Sequence, residues 1–188
     1  MTKKTHSSGG FLVASLAIYP YIFKFIEGYN LPYKILLIFL YFHFADLGSS
    51  FPDIDMRGSY VSKKYPMLSK YFGKNFRHRG FTHSLLFLLI LGLGCIFLIS
   101  ISQFNIVVHC IVFGFYAGYG SHIILDLFNP QGVELFYPCK INFKLLNIKT
   151  NSTGEKIFNG IVNLLISLVI IFYLIQYFKI FEKIQITI

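Results

Sequence analysis

The stretch Leu85–Ile101, LLFLLILGLGCIFLISI, decides the fold, because it contains no charged residue and no polar stripe. A helix on the surface of a soluble protein keeps one polar face toward water. The whole chain has the same character: 55% of its residues are hydrophobic, only 13% are charged, and the mean hydropathy is +0.61. We therefore predict an all-α integral membrane protein. The alternative is a soluble helical bundle with an unusually apolar core.

Four further apolar stretches flank this one, at residues 11–26, 35–51, 104–125 and 157–178. A helix needs roughly 20 residues to cross the hydrocarbon layer, so the last two are long enough and the others are somewhat short. The sequence predicts a polytopic bundle of about five transmembrane helices. We expect residues 1–188 to form a single membrane-embedded domain.

The distribution of lysine and arginine predicts the orientation. Of 17 basic residues, two precede the first stretch, seven lie between the second and third, and four between the fourth and fifth. The positive-inside rule puts these three segments in the cytoplasm, in the plasma (inner) membrane of a bacterium. The net charge of +9 then indicates contact with anionic membrane lipid, and no nucleic-acid partner is expected. Because Lys3 and Lys4 precede an apolar run, a cleaved signal peptide is the alternative, but no small-residue cleavage site follows the run.

Polar side chains that could bind a metal ion occur where the predicted helices meet the cytoplasm. His122 and Asp126 are four residues apart, so they share one face of a helix. Asp53 and Asp55 follow Pro52, which predicts an extended exit from the second helix with both carboxylates on one side. Close carboxylates repel each other unless a cation lies between them. The alternatives are a hydrogen-bonded polar pair and a solvated acidic turn.

A second histidine pair, His78 and His83, precedes the third helix. The two can converge only through a turn, and Arg79 between them offers a planar donor group for phosphate or carboxylate. We expect the turn at Gly80, because glycine adopts backbone angles that other residues avoid. We expect the hydroxyl of Thr82 or Ser84 to cap the third helix. A basic loop that only touches lipid headgroups is the alternative.

His6 and Glu155 are predicted on the same membrane face as these motifs. Imidazole and carboxylate groups are ordinary ligands of zinc and manganese, so we predict a divalent-metal site of one to three ions, zinc or alternatively manganese. The predicted metal ligands are His6, Asp53, Asp55, His78, His83, His122 and Asp126. The predicted catalytic residues are Asp55, Arg79 and Glu155, the last as a further ligand or base.

Taken in order, these motifs resemble the YdjM-like, LexA-regulated family of membrane-bound metal-dependent hydrolases. The resemblance runs from His6 to about Glu155, and its specific pieces are Pro-Asp-Ile-Asp at 52–55, His-Arg-Gly-Phe-Thr-His-Ser at 78–84 and Gly-Tyr-Gly-Ser-His-Ile-Ile-Leu-Asp at 118–126. Family members often carry a histidine where this chain has Met56. More distantly, the order of ligands is similar to that of zinc-dependent phospholipase C and related nucleases.

The resemblance implies hydrolysis by a metal-activated water. With a site at the headgroup layer, we expect a phosphoester substrate such as a phospholipid or a polyprenyl phosphate. The main alternative is a non-enzymatic metal-binding membrane protein, either a sensor or a transporter. A third hypothesis is a membrane adaptor whose basic loop at residues 57–79 binds anionic lipid or a cytosolic partner. The oligomeric state is not predicted.

Overall fold

The described part of the chain folds into helices and loops. The computed structural model describes residues 1–21 and 25–186, with side chains for residues 1–18 and 25–176. Over these residues there are seven α-helices and no β-strand, only an isolated bridge between Val133 and Phe143. The predicted all-α class is therefore confirmed.

The helices are α1 (Lys3–Tyr21), α2 (Leu31–Ser50), α3 (Tyr60–Lys64), α4 (Pro66–Asn75), α5 (Leu85–Ile101), α6 (Ile106–Asp126) and α7 (Thr153–Ile186). Two short 3₁₀ helices join them, at Phe51–Asp55 after α2 and at Phe81–His83 before α5.

Three of the described segments are long and apolar enough to cross a membrane: Leu31–Asp55, Ile106–Asp126 and Thr153–Gln176. Helix α5 is equally apolar but has only 17 residues. Helix α1 begins about two turns before the predicted start at residue 11, so His6 lies inside this helix. Residues 22–24, just before the predicted end of the first stretch at residue 26, lie outside the described residues.

Glycines allow α2 and α6 to cross with their backbones almost in contact. A Cβ atom added at Gly114 would lie 2.1 Å from the Tyr41 carbonyl oxygen, and one at Gly118 would lie 2.0 Å from the Ala45 carbonyl oxygen. On the opposite helix, a Cβ atom at Gly48 would lie 2.1 Å from a backbone oxygen of α6. Small residues spaced four apart are typical of close helix crossings in membranes. This crossing brings the carboxyl-terminal ends of both helices together.

The turn after α2 differs from the prediction. Residues 51–55 form a 3₁₀ helix rather than an extended exit, and Phe51 itself has helical backbone angles. The expectation was wrong because Pro52 lies in the first turn of the new helix, where its missing N–H costs no hydrogen bond. Tertiary contacts stabilise the turn: the Ser59 hydroxyl donates to the Asp53 carbonyl oxygen at 2.8 Å.

The predicted cap of α5 at Ser84 is confirmed, and the start of α2 is also capped. The Ser84 hydroxyl accepts a hydrogen bond from the Phe87 N–H and caps α5. Asn30 caps α2 in the same way through the Tyr33 N–H, with Pro32 in the first turn. Each cap begins an apolar helix at a defined residue, which determines where the preceding loop can place its polar side chains.

Candidate metal centre

Helix ends from four parts of the chain meet at one buried cluster of histidines and aspartates. The amino-terminal turn of α1, the 3₁₀ turn after α2, the 3₁₀ turn before α5 and the last turn of α6 each contribute to it. The cluster residues are His6, Asp53, Asp55, His78, His83, His122 and Asp126, which are the seven residues predicted as metal ligands. Five of the seven are at least nine-tenths buried.

The centre of the cluster is a quartet formed by Asp53, His83, His122 and Asp126, whose facing atoms all lie within 4.8 Å of one another. Each histidine Nε2 lies 3.6 Å from the same oxygen of Asp53 and 3.8 Å from the same oxygen of Asp126. The ligand atoms of a tetrahedral zinc ion are about 3.3 Å apart, given bonds of about 2.0–2.1 Å. The quartet is therefore close to the size that a metal ion requires.

The two Nε2 atoms of the quartet are buried and have no hydrogen-bond partner among the described residues. A buried polar atom without a partner costs about 1–3 kcal/mol, so such atoms are uncommon in folded proteins. Both belong to imidazoles that face two carboxylates. Imidazole nitrogens and carboxylate oxygens are ordinary ligands of zinc and manganese, so the residues of the quartet fit a divalent ion.

The opposite ring nitrogens set the tautomers of these two histidines. The Nδ1–H of His122 donates to the Ser49 carbonyl oxygen at 2.6 Å. The Thr82 hydroxyl donates a hydrogen bond to Asp55 at 2.7 Å. Its oxygen is therefore the acceptor in the 3.0 Å contact with the Nδ1–H of His83. In the neutral tautomer that these contacts favour, each Nε2 carries a lone pair directed at the quartet, which is how outer hydrogen bonds prepare histidine ligands.

When no metal is bound, a proton on His83 partly offsets the negative charge of Asp53 and Asp55. Burial by itself lowers the pKa of His83, but its interactions with Asp53 and Asp55 outweigh burial and raise the pKa to about 10. The imidazole is thus held as a cation at neutral pH. The field at this point favours positive charge, which a divalent ion would supply in place of the proton.

A second group of facing atoms comprises Asp53, Asp55 and His78. Here His78 donates directly from Nδ1 to Asp55 at 2.9 Å, and the second oxygen of Asp55 accepts from Thr82 and from the Arg79 N–H at 3.2 Å. These atoms already satisfy one another. An ion at this point would have to replace the hydrogen bond between His78 and Asp55. In the quartet, by contrast, the two histidine Nε2 atoms have no hydrogen-bond partner among the described residues.

His6 lies beside the quartet without belonging to it. Its ring stacks on that of His122, with centroids 3.7 Å apart and planes inclined by 10°. Its Nε2 lies 3.4 Å from Asp126, whose same oxygen also accepts from the Met1 amino group at 3.1 Å. Burial, with a smaller contribution from His122, lowers the pKa of His6 to about 4. The neutral ring can therefore stack on a second imidazole without charge repulsion.

Arg79 contacts the Asp126 oxygen that faces the two quartet histidines, and two of its other nitrogens have no partner in the described part of the chain. Its Nη2 lies 3.1 Å from Asp126, while its Nε and Nη1 are buried and have no partner among the described residues. Its backbone is left-handed, with φ +65°, and the Gly80 N–H closes the turn by donating to the Arg77 carbonyl oxygen at 3.0 Å, so Arg79 and Gly80 together make the turn between His78 and His83. Gly80 is also needed for space, because an added Cβ would lie 2.9 Å from a carbonyl oxygen.

Glu155 is not brought into either group of facing atoms. One of its oxygens accepts from the Thr2 N–H at 2.6 Å and from the Thr5 hydroxyl at 2.9 Å, and the other accepts from the Asn151 N–H at 2.6 Å. The carboxylate joins the start of α7 to the start of α1. These contacts position His6, one residue after Thr5, and leave no free oxygen for a metal ion.

The fold and the site define a class: an all-helical membrane protein with a buried histidine and aspartate cluster where its helices end. Residues 1–182 match the family described as YdjM inner membrane protein, and the chain belongs to that family. The family predicted from the sequence motifs is thus confirmed, as is the predicted inner-membrane class. The match carries no statement of hydrolysis.

Two relatives illustrate the range of the family. The chain is 34% identical over 158 residues to "Uncharacterized protein YvsG" of Bacillus subtilis (strain 168), covering 84% of this chain and 86% of that protein. It is 36% identical over 94 residues to "Inner membrane protein YdjM" of Escherichia coli (strain K12), covering 50% of this chain and 47% of that protein. That second alignment thus spans about half of the relative's length. No solved structure matches the chain.

Proposed function

We propose that this protein is a membrane-bound hydrolase that requires a divalent metal ion, zinc or manganese, and cleaves a phosphoester at the headgroup layer of the membrane. One observation carries the proposal: the buried quartet of Asp53, His83, His122 and Asp126 directs two unpartnered imidazole nitrogens at two shared carboxylate oxygens. A metal ion held there would lower the pKa of a water molecule toward about 7 and so supply hydroxide at neutral pH.

The protein's own side chains would perform the remaining tasks. Arg79 would donate from its two unpartnered nitrogens to an oxygen that gains negative charge during hydrolysis. Asp55 would hold His83 in one tautomer through Thr82, which makes it a positioning residue more than a base. His6 would shield one side of His122 by stacking on its ring. A second ion, bound by Asp53, Asp55 and His78, would extend the site.

The arrangement of the helices supports five crossings with the site on the cytoplasmic side. The starts of α1, α5 and α7 and the ends of α2 and α6 all lie near the cluster or its supporting contacts. The five long helices α1, α2, α5, α6 and α7 therefore alternate in direction along the chain, as a chain that repeatedly crosses a membrane requires. Together with the lysine and arginine distribution, this alternation supports an amino terminus in the cytoplasm.

Helix α4 supports a location at the headgroup layer. Its outer face exposes Met67 and Tyr71, beside Lys70 and Lys74, and the segment 56–79 contains no acidic residue. Apolar side chains flanked by lysines are typical of a helix that lies in the membrane interface. The opposite face packs against the site, since a Cβ atom added at Gly73 would lie 3.1 Å from a backbone oxygen of the 3₁₀ turn. A lipid phosphoester, such as a phospholipid or polyprenyl phosphate, could reach the metal from this layer.

A second candidate function is a metal sensor that performs no hydrolysis. One observation favours it: the pocket beside His6 and Asp53 has a volume of only about 20 Å³, room for about one water molecule. A transporter is less consistent with the structure, because the quartet lies at helix ends rather than through the depth of the bilayer. Turnover separates an enzyme from a sensor.

The experiment measures phosphate release from phosphatidic acid and from a polyprenyl phosphate in detergent micelles, and glycerol release from phosphatidylglycerol. We expect hydrolysis of at least one substrate that is lost with a chelator, restored by zinc or manganese and lost in His122→Ala. The matched control is His43→Ala, which removes an exposed histidine from α2. Hydrolysis that survives chelation or the His122 substitution would contradict the proposal.

A further inference from the structure

A small polar pocket opens beside the metal centre, between the start of α1 and the start of α3. Lys3, His6, Ser50, Asp53 and Tyr60 line it, and its volume is about 20 Å³. A cavity of this size accommodates about one water molecule, or one oxygen atom of a ligand. The pocket touches the quartet only through Asp53, so it leads from the protein surface toward the place where the ion would bind.

Two atoms of the pocket residues lack the hydrogen bonds that burial demands. The hydroxyl of Ser50, a residue that is 6% exposed, and the Nδ1 of His6, a residue that is 1% exposed, have no partner among the described residues. Leaving a buried hydroxyl without a partner costs about 1–3 kcal/mol. Ser50 is the last residue of α2, beside the metal centre. A serine whose hydroxyl donates to a backbone carbonyl, or an alanine, would avoid that cost at this position. This unused donor indicates that the pocket receives a polar ligand.

The charge at the mouth of the pocket identifies the chemistry of that ligand. The Lys3 ammonium lies 3.5 Å from the centroid of the Tyr60 ring, and no described carboxylate pairs with it. A cation held over an aromatic ring keeps its position at low entropic cost and can still donate its protons to an anion. Lysine and serine together are common donors to phosphate.

We propose that this pocket binds one non-bridging oxygen of the substrate's phosphate group, with Ser50 donating inside the pocket and Lys3 donating at its mouth. The inference rests on the proposed function, because the Asp53 carboxylate would repel an anion unless a metal ion neutralised it. A pocket for one oxygen leaves the rest of the phosphate and its organic group outside, at the protein surface. The substrate class is then an ester with an accessible phosphate, whichever alcohol it carries.

The test measures inorganic phosphate binding by isothermal titration calorimetry to full-length protein in detergent, loaded with metal and freed of excess. Ser50→Ala should weaken phosphate binding about tenfold, as expected for loss of a hydrogen bond to a charged group. Lys3→Gln should weaken it about threefold to fivefold, as expected for an exposed ion pair. The matched control is Lys4→Gln, which removes the neighbouring exposed lysine outside the pocket and should leave the affinity unchanged.

Two further measurements make the outcomes distinct. Bound metal is counted in every variant, and absence of metal from the wild type overturns both the proposed function and this subsite. Normal metal content with equal phosphate affinity in wild type, Ser50→Ala and Lys3→Gln overturns the subsite alone. Thermal unfolding separates binding from structure: Ser50→Ala should unfold at a temperature no lower than the wild type, because it removes a buried hydroxyl that makes no hydrogen bond within the described protein.

Short-chain phosphatidic acid, titrated in the same way, distinguishes the source of the phosphate. Affinity at least tenfold above that of inorganic phosphate supports a lipid phosphate. Equal affinities overturn the lipid source and support a soluble phosphate at the same subsite.

Discussion

Replacing Gly118 by alanine tests whether the close crossing of α2 and α6 builds the metal centre. The new Cβ atom would lie 2.0 Å from the Ala45 carbonyl oxygen, where ordinary contact begins at 3.4 Å, so the backbones must separate locally by up to about 1.4 Å. His122 and Ser49 each follow this contact by one helical turn, and their hydrogen bond is 2.6 Å long. A separation of that size would break it.

The expected cost has two parts. Overpacking of a close contact costs about 1–3 kcal/mol, and loss of the hydrogen bond adds about 0.5–1.5 kcal/mol. Because that bond orients a predicted metal ligand, Gly118→Ala should also weaken metal affinity about 10- to 100-fold. Zinc competition with a chromophoric chelator measures the affinity, and thermal unfolding in detergent measures the stability.

Gly120→Ala is the matched control, since an added Cβ there meets no atom within 4 Å. It changes the same residue type on the same helix and should leave the zinc affinity unchanged, with a stability equal to the wild type or higher by about 0.5–1 kcal/mol. If Gly118→Ala binds zinc as tightly as Gly120→Ala and unfolds at the same temperature, the crossing does not control the site and this reasoning is wrong.

Three further predictions concern other parts of the molecule. The chain contains no tryptophan, so Met67→Trp supplies a unique fluorophore on α4. Its fluorescence should be quenched most by lipids brominated near the headgroup. The fluorescence of Phe172→Trp in α7 should be quenched most by lipids brominated near the ends of the acyl chains. Equal quenching profiles would count against an interfacial α4. Glu155→Gln should keep its bound metal but unfold at a lower temperature, because charge-assisted hydrogen bonds from Thr2 worth about 1.5–3 kcal/mol are weakened; loss of metal would instead place Glu155 among the ligands. Ser84→Ala should cost about 1 kcal/mol through loss of the α5 cap, and an unchanged unfolding midpoint would contradict that role.

Local sequence patterns located the five long apolar helices, although not the start of α1 or the short helices α3 and α4, and they identified the seven residues of the cluster. The spacing of His122 and Asp126 puts both on one helical face, and the structure places both in the quartet. Ser84 precedes an apolar run and caps it, as its position indicates. These features depend on residues within one or two turns of each other, which is the range over which a sequence pattern determines geometry.

Contacts between distant segments were not predictable in the same way. The hydrogen bond between Ser49 and His122 joins residues 73 apart, and it exists only because Gly118 admits the backbone of α2. The role of Thr82 between His83 and Asp55 depends on a turn whose left-handed residue is an arginine, which no turn rule favours. The glycine spacing on α6 was the available signal for the crossing.

The contacts of Glu155 show a different limit. A carboxylate predicted on the same face as metal ligands can equally accept backbone hydrogen bonds, and its spacing alone does not separate the two roles. Here Thr2 and Asn151 occupy its oxygens. The extended exit predicted at Pro52 was wrong because Pro52 begins a new 3₁₀ helix, which a hydrogen bond from Ser59 stabilises.

The central claim is that the quartet binds a divalent metal ion, and elemental mass spectrometry of the purified protein tests it most directly. Wild type and His43→Ala should each hold close to one zinc or manganese ion per chain, or more if the second group is occupied. The double variant His122→Ala, Asp126→Ala should hold none while remaining folded by circular dichroism. Wild-type protein that stays free of transition metal after resupply, or a double variant that retains the ion, would contradict the account.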